Sequence, residues 1–220
     1  MSLAPFLLTF KLALCTTFIL VAIGIPVALW LASRSSLLAS GLEASVALPL
    51  VLPPSVLGFY LLLLFRANGP FGAVWERIFG HSLVFHFEGL VFASAVFGLP
   101  FMVQPLVAGI RSIPKELIEA SSTLGKSSWT TLVRIVLPNM KASILTGCVL
   151  AFAHTIGEFG VVLMVGGNIE GETRVVSIAI YDAVEALDYR SAHVYASVLF
   201  LFSFLTLLAV YRVNKRVLSE

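Results

Sequence analysis

Glu119–Pro138 reads EASSTLGKSSWTTLVRIVLP, a polar and basic island between two long apolar windows. Glu119 stands six residues before Gly125, Gly125 ten before Ile135, and Pro138 closes the run. Upstream, residues 89–110, between Glu88 and Arg111, carry no charge; downstream, residues 142–169 carry one, Glu158. Crossing ~30 Å of hydrocarbon at ~1.5 Å per residue takes about 20 residues, and both windows supply them. The island is therefore a loop between two membrane spans, and the fold question becomes how many more spans there are.

Three further windows qualify. Residues 12–33, 44–65 and 191–211 are free of charge, bounded by Lys11 and Arg34, Glu43 and Arg66, and Arg190 and Arg212. The expectation is an all-α polytopic membrane protein of about five transmembrane helices, near 10–33, 44–65, 89–110, 141–165 and 191–211. Composition agrees: 59% of the 220 residues are hydrophobic and only 12% charged, with a mean hydropathy of +0.99. A soluble domain carries about 25% charged residues, so this chain has too few to cover a water-facing surface. In lipid every backbone polar group must be satisfied internally, which helices achieve, and the alternating polarity of a β-barrel is absent. The first window is too long for a typical signal-peptide core and lacks a basic segment before it, so it reads as a retained span. Cys15 and Cys148 fall inside spans and read as small apolar residues; they imply neither a disulfide framework nor a metal site.

Charge sets the orientation. Five spans put the termini on opposite sides, and alternate connections sort the 14 basic residues. Arg34, Arg111, Lys115, Lys126, Arg134, Lys141, Arg212, Lys215 and Arg216 fall on one side; Lys11, Arg66, Arg77, Arg174 and Arg190 fall on the other. The positive-inside rule then places the N-terminus outside and the C-terminus in the cytoplasm, with loop 111–138 cytoplasmic. Residues 70–87 carry Glu76, Arg77, His81 and His86 and read as a short external amphipathic helix; a sixth span there is the rival. Residues 166–190 read as external and acidic, with a helix over Val175–Leu187 that puts Asp182, Glu185 and Asp188 on one face. That face is either simply solvated or a docking face for an external partner.

Within the island, Pro114 suits the first turn of a helix over Lys115–Leu124, which offers Leu117, Ile118 and Leu124 as an apolar side. Gly125 can take the left-handed position that ends a helix. Ser127 or Ser128 can cap a second helix, Trp129–Val136, stopped by Pro138. Two short helices joined at a glycine fit a docking module or an ordinary amphipathic re-entry loop. Gly125-Lys126-Ser127 imitates the end of a phosphate-binding loop, but that pattern needs a glycine where Ala120 stands. The chain itself is expected to bind no ATP.

Two polar irregularities lie inside the spans. Glu158 is the only acid deep within one, and a charge there costs ~2.5–3.5 kcal/mol on insertion scales. His154, one helical turn earlier, should share its face, and Gly157 and Gly160 flank it. Glu158 can brace the bundle, line a path, or carry protons in a secondary transporter. The second is LPLVLPPS, Leu48–Ser55, where three prolines remove backbone donors and kink the helix. Broken helices at membrane depth are tolerated against protein or a water-filled cavity, which makes Pro53, Pro54, Ser55 and Glu158 candidates for a pathway or gate.

Three blocks together resemble one family: Leu48–Gly58 (LPLVLPPSVLG), the island Glu119–Pro138, and Ile156–Arg174 (IGEFGVVLMVGGNIEGETR). They are similar to the molybdate permease subunit of binding-protein-dependent ABC importers, over roughly residues 5–212. The island resembles the "EAA" coupling loop of such permeases, which identifies the superfamily; the other two blocks are more specific, and sulfate permeases carry related versions. The resemblance implies a type I importer transmembrane fold, a homodimer with the path at the subunit interface, and a cell-membrane location. It also implies two cytoplasmic ATPase subunits that hold ATP and Mg, and an external binding protein delivering molybdate or tungstate. By match, Glu119, Ala120, Ser121, Leu124 and Gly125 form the ATPase-docking loop. Ser121 stands where the family usually has a second alanine, and His154 where it often has arginine. No catalytic residue, metal ligand, bound cofactor or nucleic-acid partner is expected of this chain.

Two other classes compete. An ion-coupled secondary transporter could use His154 and Glu158, but it has no use for a cytoplasmic docking loop. An intramembrane enzyme would need a His-Glu-x-x-His or Gly-x-Ser-x-Gly motif, and neither is present. A sulfate or thiosulfate permease is the alternative within the importer class.

Overall fold

The computed structural model describes residues 2–217, and all of their regular structure is helical. Helix α1 (Ala4–Ala32) leads into α2 (Leu37–Ala47), which runs on through a 3-10 turn at Leu48–Leu50. Then come α3 (Pro54–Phe65), α4 (Gly72–Phe79) and α5 (Phe87–Arg111). The island forms α6 (Lys115–Thr123) and α7 (Ser128–Thr131), a π turn at Leu132–Val136, and α8 (Leu137–Asn139). Helices α9 (Lys141–Gly157), α10 (Gly160–Gly166), α11 (Val176–Glu185) and α12 (Tyr189–Val217) complete the chain.

Helix α5 is the hub. Two thirds of its apolar stretch (67%) is buried, against 6% for that of α12 at the periphery. One core joins α1, α5 and α9 through Leu20, Leu31, Met102, Leu106, Met140 and Ala151. A second joins α3, α5 and α10 through Leu61, Phe65, Phe97, Val161 and Val165. Phe18 on α1 and Phe200 and Phe204 on α12 stay exposed, the outward apolar surface that a membrane requires.

Among the described residues, three helices are continuous and apolar enough to cross a membrane: Ala4–Ala32, Phe87–Arg111 and Tyr189–Leu208. The other two expected spans are interrupted. The expected span 44–65 is a bent pair, Leu37–Leu50 and Pro54–Phe65, meeting at 112°. The cause is the proline run: Pro49 starts the 3-10 turn, and Pro53, with extended backbone (φ −56°, ψ 136°), precedes α3. The expected span 141–165 stops at Gly157; Glu158 is extended (φ −70°, ψ 135°) and α10 restarts at Gly160. At its other end α9 meets the Ser128–Asn139 segment at 67°. Pro138 does not stop the island's second helix: helical structure runs on to Asn139, with a π turn over Leu132–Val136 just before the proline, and the bend falls at Met140.

Residues 70–87 contain the eight-residue helix α4, too short to span. Contacts sort the helix ends. Lys11 Nζ lies 4.2 Å from the centre of the Phe87 ring, joining the early turns of α1 to the start of α5. The ion pair between Arg111 and Glu43 joins the far end of α5 to α2. The side chains of Lys215 and Arg216 lie outside the described residues. The acidic face expected over Val175–Leu187 is shorter. Leu187 takes φ +59° after α11 ends, and Asp188 instead caps α12 by accepting from the Ser191 N–H at 3.1 Å. Hydrogen bonding from Ser191, side chain first and backbone second, holds the Asp188 carboxyl below its ordinary range. Asp182 is tied down as well, by Arg174 at 2.9 Å and the Asn168 amide at 2.6 Å.

Candidate docking loop and paired helix breaks

The island is built by local chemistry. Helix α6 ends at Leu124, and Gly125 takes the left-handed conformation, φ +66°. The Gly125 N–H then reaches the Ser122 carbonyl (2.9 Å) and the Lys126 N–H the Ser121 carbonyl (3.1 Å), which is the Schellman ending. Ser127 caps α7, its hydroxyl accepting from the Thr130 N–H at 3.2 Å. Ser121 turns inward: it is buried, and its hydroxyl bonds Thr131 Oγ1 at 2.7 Å, tying α6 to α7. An alanine there, the family's usual residue, would leave that bond unmade.

Glu119, Ala120, Leu124 and Gly125 all face solvent. Leu124 is 72% exposed, with Leu117 and Ile118 also open. Trp129, at 72% exposure, is a feature the sequence reading passed over; a tryptophan one residue into a short capped helix was the available signal. A rigid two-helix corner presenting Leu124 and Trp129 is an apolar surface suited to another protein, since tryptophan is enriched among interface residues that dominate binding.

The second feature lies at the helix breaks. Pro53, Pro54 and Ser55 are exposed at the start of α3. Gly160, at the start of α10, lies so close that a Cβ on it would sit 2.8 Å from Pro54 Cβ. Further along, a Cβ on Gly58 would meet Met164 Cβ at 2.9 Å and the Val161 backbone at 3.3 Å. The break between α2 and α3 is therefore seated on the break between α9 and α10, and only glycine permits the approach. Gly157 has open space around it and takes no part in the contact.

Glu158 lies in this junction, 4% exposed. Its backbone carbonyl accepts from Ser177 Oγ at 2.6 Å, which ties the break to α11. Its carboxyl lies toward the buried Ser94 hydroxyl on α5, and among the described residues neither group makes a well-formed hydrogen bond. The helix ends at Gly157 with Glu158 as its cap, and both side chains still turn toward one stripe of α5, Glu158 toward Ser94 and His154 toward Phe97 and Phe101. His154 stacks on Phe101, ring centres 4.0 Å apart, and tilts against Phe97 at 4.8 Å. It is an aromatic packing element of α9 against α5. Among the described residues no group of three metal-ligating side chains comes together.

A helical membrane chain with broken spans and an exposed docking corner has the makings of a transport subunit. The family model "Binding-protein-dependent transport system inner membrane component" matches residues 24–219, and the chain belongs to that family, as a multi-pass inner-membrane component. It is 47% identical to the molybdenum transport system permease protein ModB of Azotobacter vinelandii, over 95% of this chain and 92% of that protein. It is 34% identical to the putative molybdenum transport system permease YvgM of Bacillus subtilis, over 92% and 89%. The sulfate transport system permease CysT of Escherichia coli matches at 33%, over 80% of this chain and 63% of that protein. Among solved structures, the inward-facing MetNI methionine ABC transporter superposes with a TM-score of 0.74 at 17% identity, covering 97% of this chain and 94% of that one. A bacterial alginate ABC transporter gives 0.71 at 19%, covering 97% and 79%. At those identities the likeness establishes the type I importer fold alone.

Proposed function

We propose that this chain is the permease subunit of an ABC importer that carries molybdate, and tungstate with it, into the cytoplasm. The observation that carries the reading is the 47% identity to a molybdenum permease sustained over 95% of the chain. The sulfate permeases match less of the chain at lower identity, 33% over 80%, which places sulfate second.

In this reading two copies of the chain enclose the path, an external binding protein delivers the oxyanion, and two cytoplasmic ATPases hold ATP and Mg. The N-terminus is outside and the C-terminus cytoplasmic. Each ATPase receives the corner formed by α6 and α7, with Leu124 and Trp129 as anchors and Glu119, Ala120 and Gly125 around them. The Ser121–Thr131 bond and the Gly125 ending keep the corner rigid, so ATPase closure moves it as a unit. The movement reaches the paired breaks at Pro53–Ser55 and Glu158–Gly160, which switch the path between inward- and outward-facing arrangements. No step of this cycle requires covalent chemistry by the chain.

The test is uptake of radiolabelled molybdate by cells with and without the gene, competed by excess tungstate or sulfate. Gene-dependent uptake blocked by tungstate and little by sulfate is the expected result. Strong block by sulfate would move the chain to the sulfate branch, and the absence of gene-dependent uptake would overturn the transport assignment.

A further inference from the structure

Helix α2 is held to the rest of the molecule in an unusual way. Cavities of about 530 Å³ and 270 Å³ flank it, the first lined by Arg34, Ser40, Glu43 and Arg111, the second by Val46, Gln104, Val107 and Arg111. Its exposed Leu37 and Leu38 make no core. Only Ala39 and Val46 of the helix are buried. Among the described residues, one side-chain hydrogen-bonded link leaves it: the carboxylate of Glu43 accepts from both terminal nitrogens of Arg111, Nη1 to Oε1 at 3.2 Å and Nη2 to Oε2 at 3.0 Å. This fork-to-fork pairing fixes direction as well as distance.

Both partners stand at junctions. Arg111 is the last residue of α5, where the helix dipole favours a cation, and only Ser112, Ile113 and Pro114 separate it from α6. Ile113 is buried in the same core as Val46 of α2, so the linker and α2 share an apolar seat beside the ion pair. Glu43 stands five residues before Leu48, where the 3-10 turn and the proline break begin. A continuous chain of contacts thus runs from α6 through Arg111 and Glu43 to α2, and through the proline break to Pro54 seated on Gly160.

We infer that the Glu43–Arg111 pair is a coupling strut: it transmits movement of the α6–α7 corner to the broken α2–α3 element, so that α2 follows the corner instead of sliding over the cavities beside it. The strut rests on the transport reading above. Both residues are positioning residues; neither belongs to the docking surface or to the breaks. A rigid α2 with no such link would leave the proline break to respond through the α5 core alone.

The experiment uses the whole importer, permease with its ATPase and molybdate-binding protein, in proteoliposomes. ATP hydrolysis and molybdate uptake are measured on the same preparation, and the readout is ions transported per ATP hydrolysed. Wild-type complex that shows no ATP-driven uptake would overturn the transport reading, independently of the strut. With wild-type uptake established, Glu43→Gln and Arg111→Gln are each expected to lower the ratio about two- to five-fold, the range open to a half-exposed ion pair. Hydrolysis itself should stay within about twofold. The exchanged pair, Glu43→Arg with Arg111→Glu, is expected to recover at least half of the loss, short of all of it because Glu at a helix C-terminus is unfavourable. An unchanged ratio in the single variants overturns the strut, and so does a loss that the exchange does not recover. If a single variant fails to assemble, the exchanged pair alone decides: assembly with a restored ratio supports the strut, and failure to assemble overturns it.

Discussion

Gly160→Ala puts the paired breaks to a direct test. The added methyl would stand 2.8 Å from Pro54 Cβ, 3.7 Å from Pro54 C and 3.8 Å from Pro54 Cα. Carbon atoms rest at ~3.5–4.0 Å, so α3 and α10 must part by roughly 0.7–1.2 Å. A flexible side chain could absorb this; a proline ring fixed to the backbone cannot. Overpacking of this kind costs about 1–3 kcal/mol. Taking about 2 kcal/mol, at ~1.4 kcal/mol per factor of ten, the seated arrangement loses roughly 25- to 30-fold in population. The gain in helix propensity from Gly to Ala, up to ~1 kcal/mol in a helix interior, offsets little of it, because Gly160 is the first residue of α10. Gly157→Ala is the control: it is three residues away, with nothing within 4 Å of the added methyl. The assay is thermal unfolding in detergent together with molybdate uptake in cells. Gly160→Ala should melt earlier and transport less, while Gly157→Ala should match wild type or melt slightly later. Equal behaviour of the two variants would refute the seating of Pro54 on Gly160 and the gate built from it.

Three further outcomes follow from the loop and the buried acid. Gly125→Val should break coupling and Gly125→Asn should largely keep it, because the site has open space but needs φ +66°, which costs a side chain about 1–2 kcal/mol and asparagine less; uptake per ATP hydrolysed distinguishes them. Leu124→Ala with Trp129→Ala should leave the permease in the membrane but reduce co-purification of the ATPase by at least tenfold, as expected when two anchors worth about 1–2 kcal/mol each are lost; full recovery of the ATPase would remove the docking role. Glu158→Gln should assemble normally and keep most uptake, because the burial of Glu158 and its backbone tie to Ser177 do not depend on charge; complete loss with normal assembly would assign an ionic role to the carboxylate.

How much of this was legible in the sequence depends on the range of the forces involved. The membrane class and the apolar windows were legible because hydrophobic length is a local, additive property. So were the Gly125 ending and the Ser127 cap, each decided within about five residues. The prolines announced a break at 49–54, but periodicity could not say that the chain turns through 112° there. The Gly157–Gly160 break was half visible. Both glycines were marked, yet only the packing against Pro54 shows which of them is required. His154 and Glu158 were joined by helical spacing, and both do turn toward α5, but spacing could not say that His154 would stack on Phe101 or that the helix would end at Glu158. The Glu43–Arg111 pair spans 68 residues, and no spacing rule reaches that far.

The two helix breaks, between α2 and α3 and between α9 and α10, give the fold its economy of motion. An unbroken span transmits displacement along its axis and resists bending, because each backbone hydrogen bond supports the next. At Val51–Pro53 and at Glu158–Phe159 that ladder is interrupted, so α3 and α10 can swing without loss of helical bonds. They are packed on each other through Gly58 and Gly160, and together on α5 through Phe65, Phe97, Val161 and Val165. A displacement of one is therefore expected to carry the other. Helix α5, rigid and central, serves as the fixed support, while the corner of α6 and α7 hangs from its end. A substitution that loosens the α3–α10 contact should consequently impair transport more than ATPase docking, whereas one on the exposed face of the corner should do the reverse. Gly160→Ala and the paired Leu124→Ala, Trp129→Ala variant thus form a double dissociation. If both impaired co-purification and uptake in the same proportion, the separation of docking corner from gate would not hold.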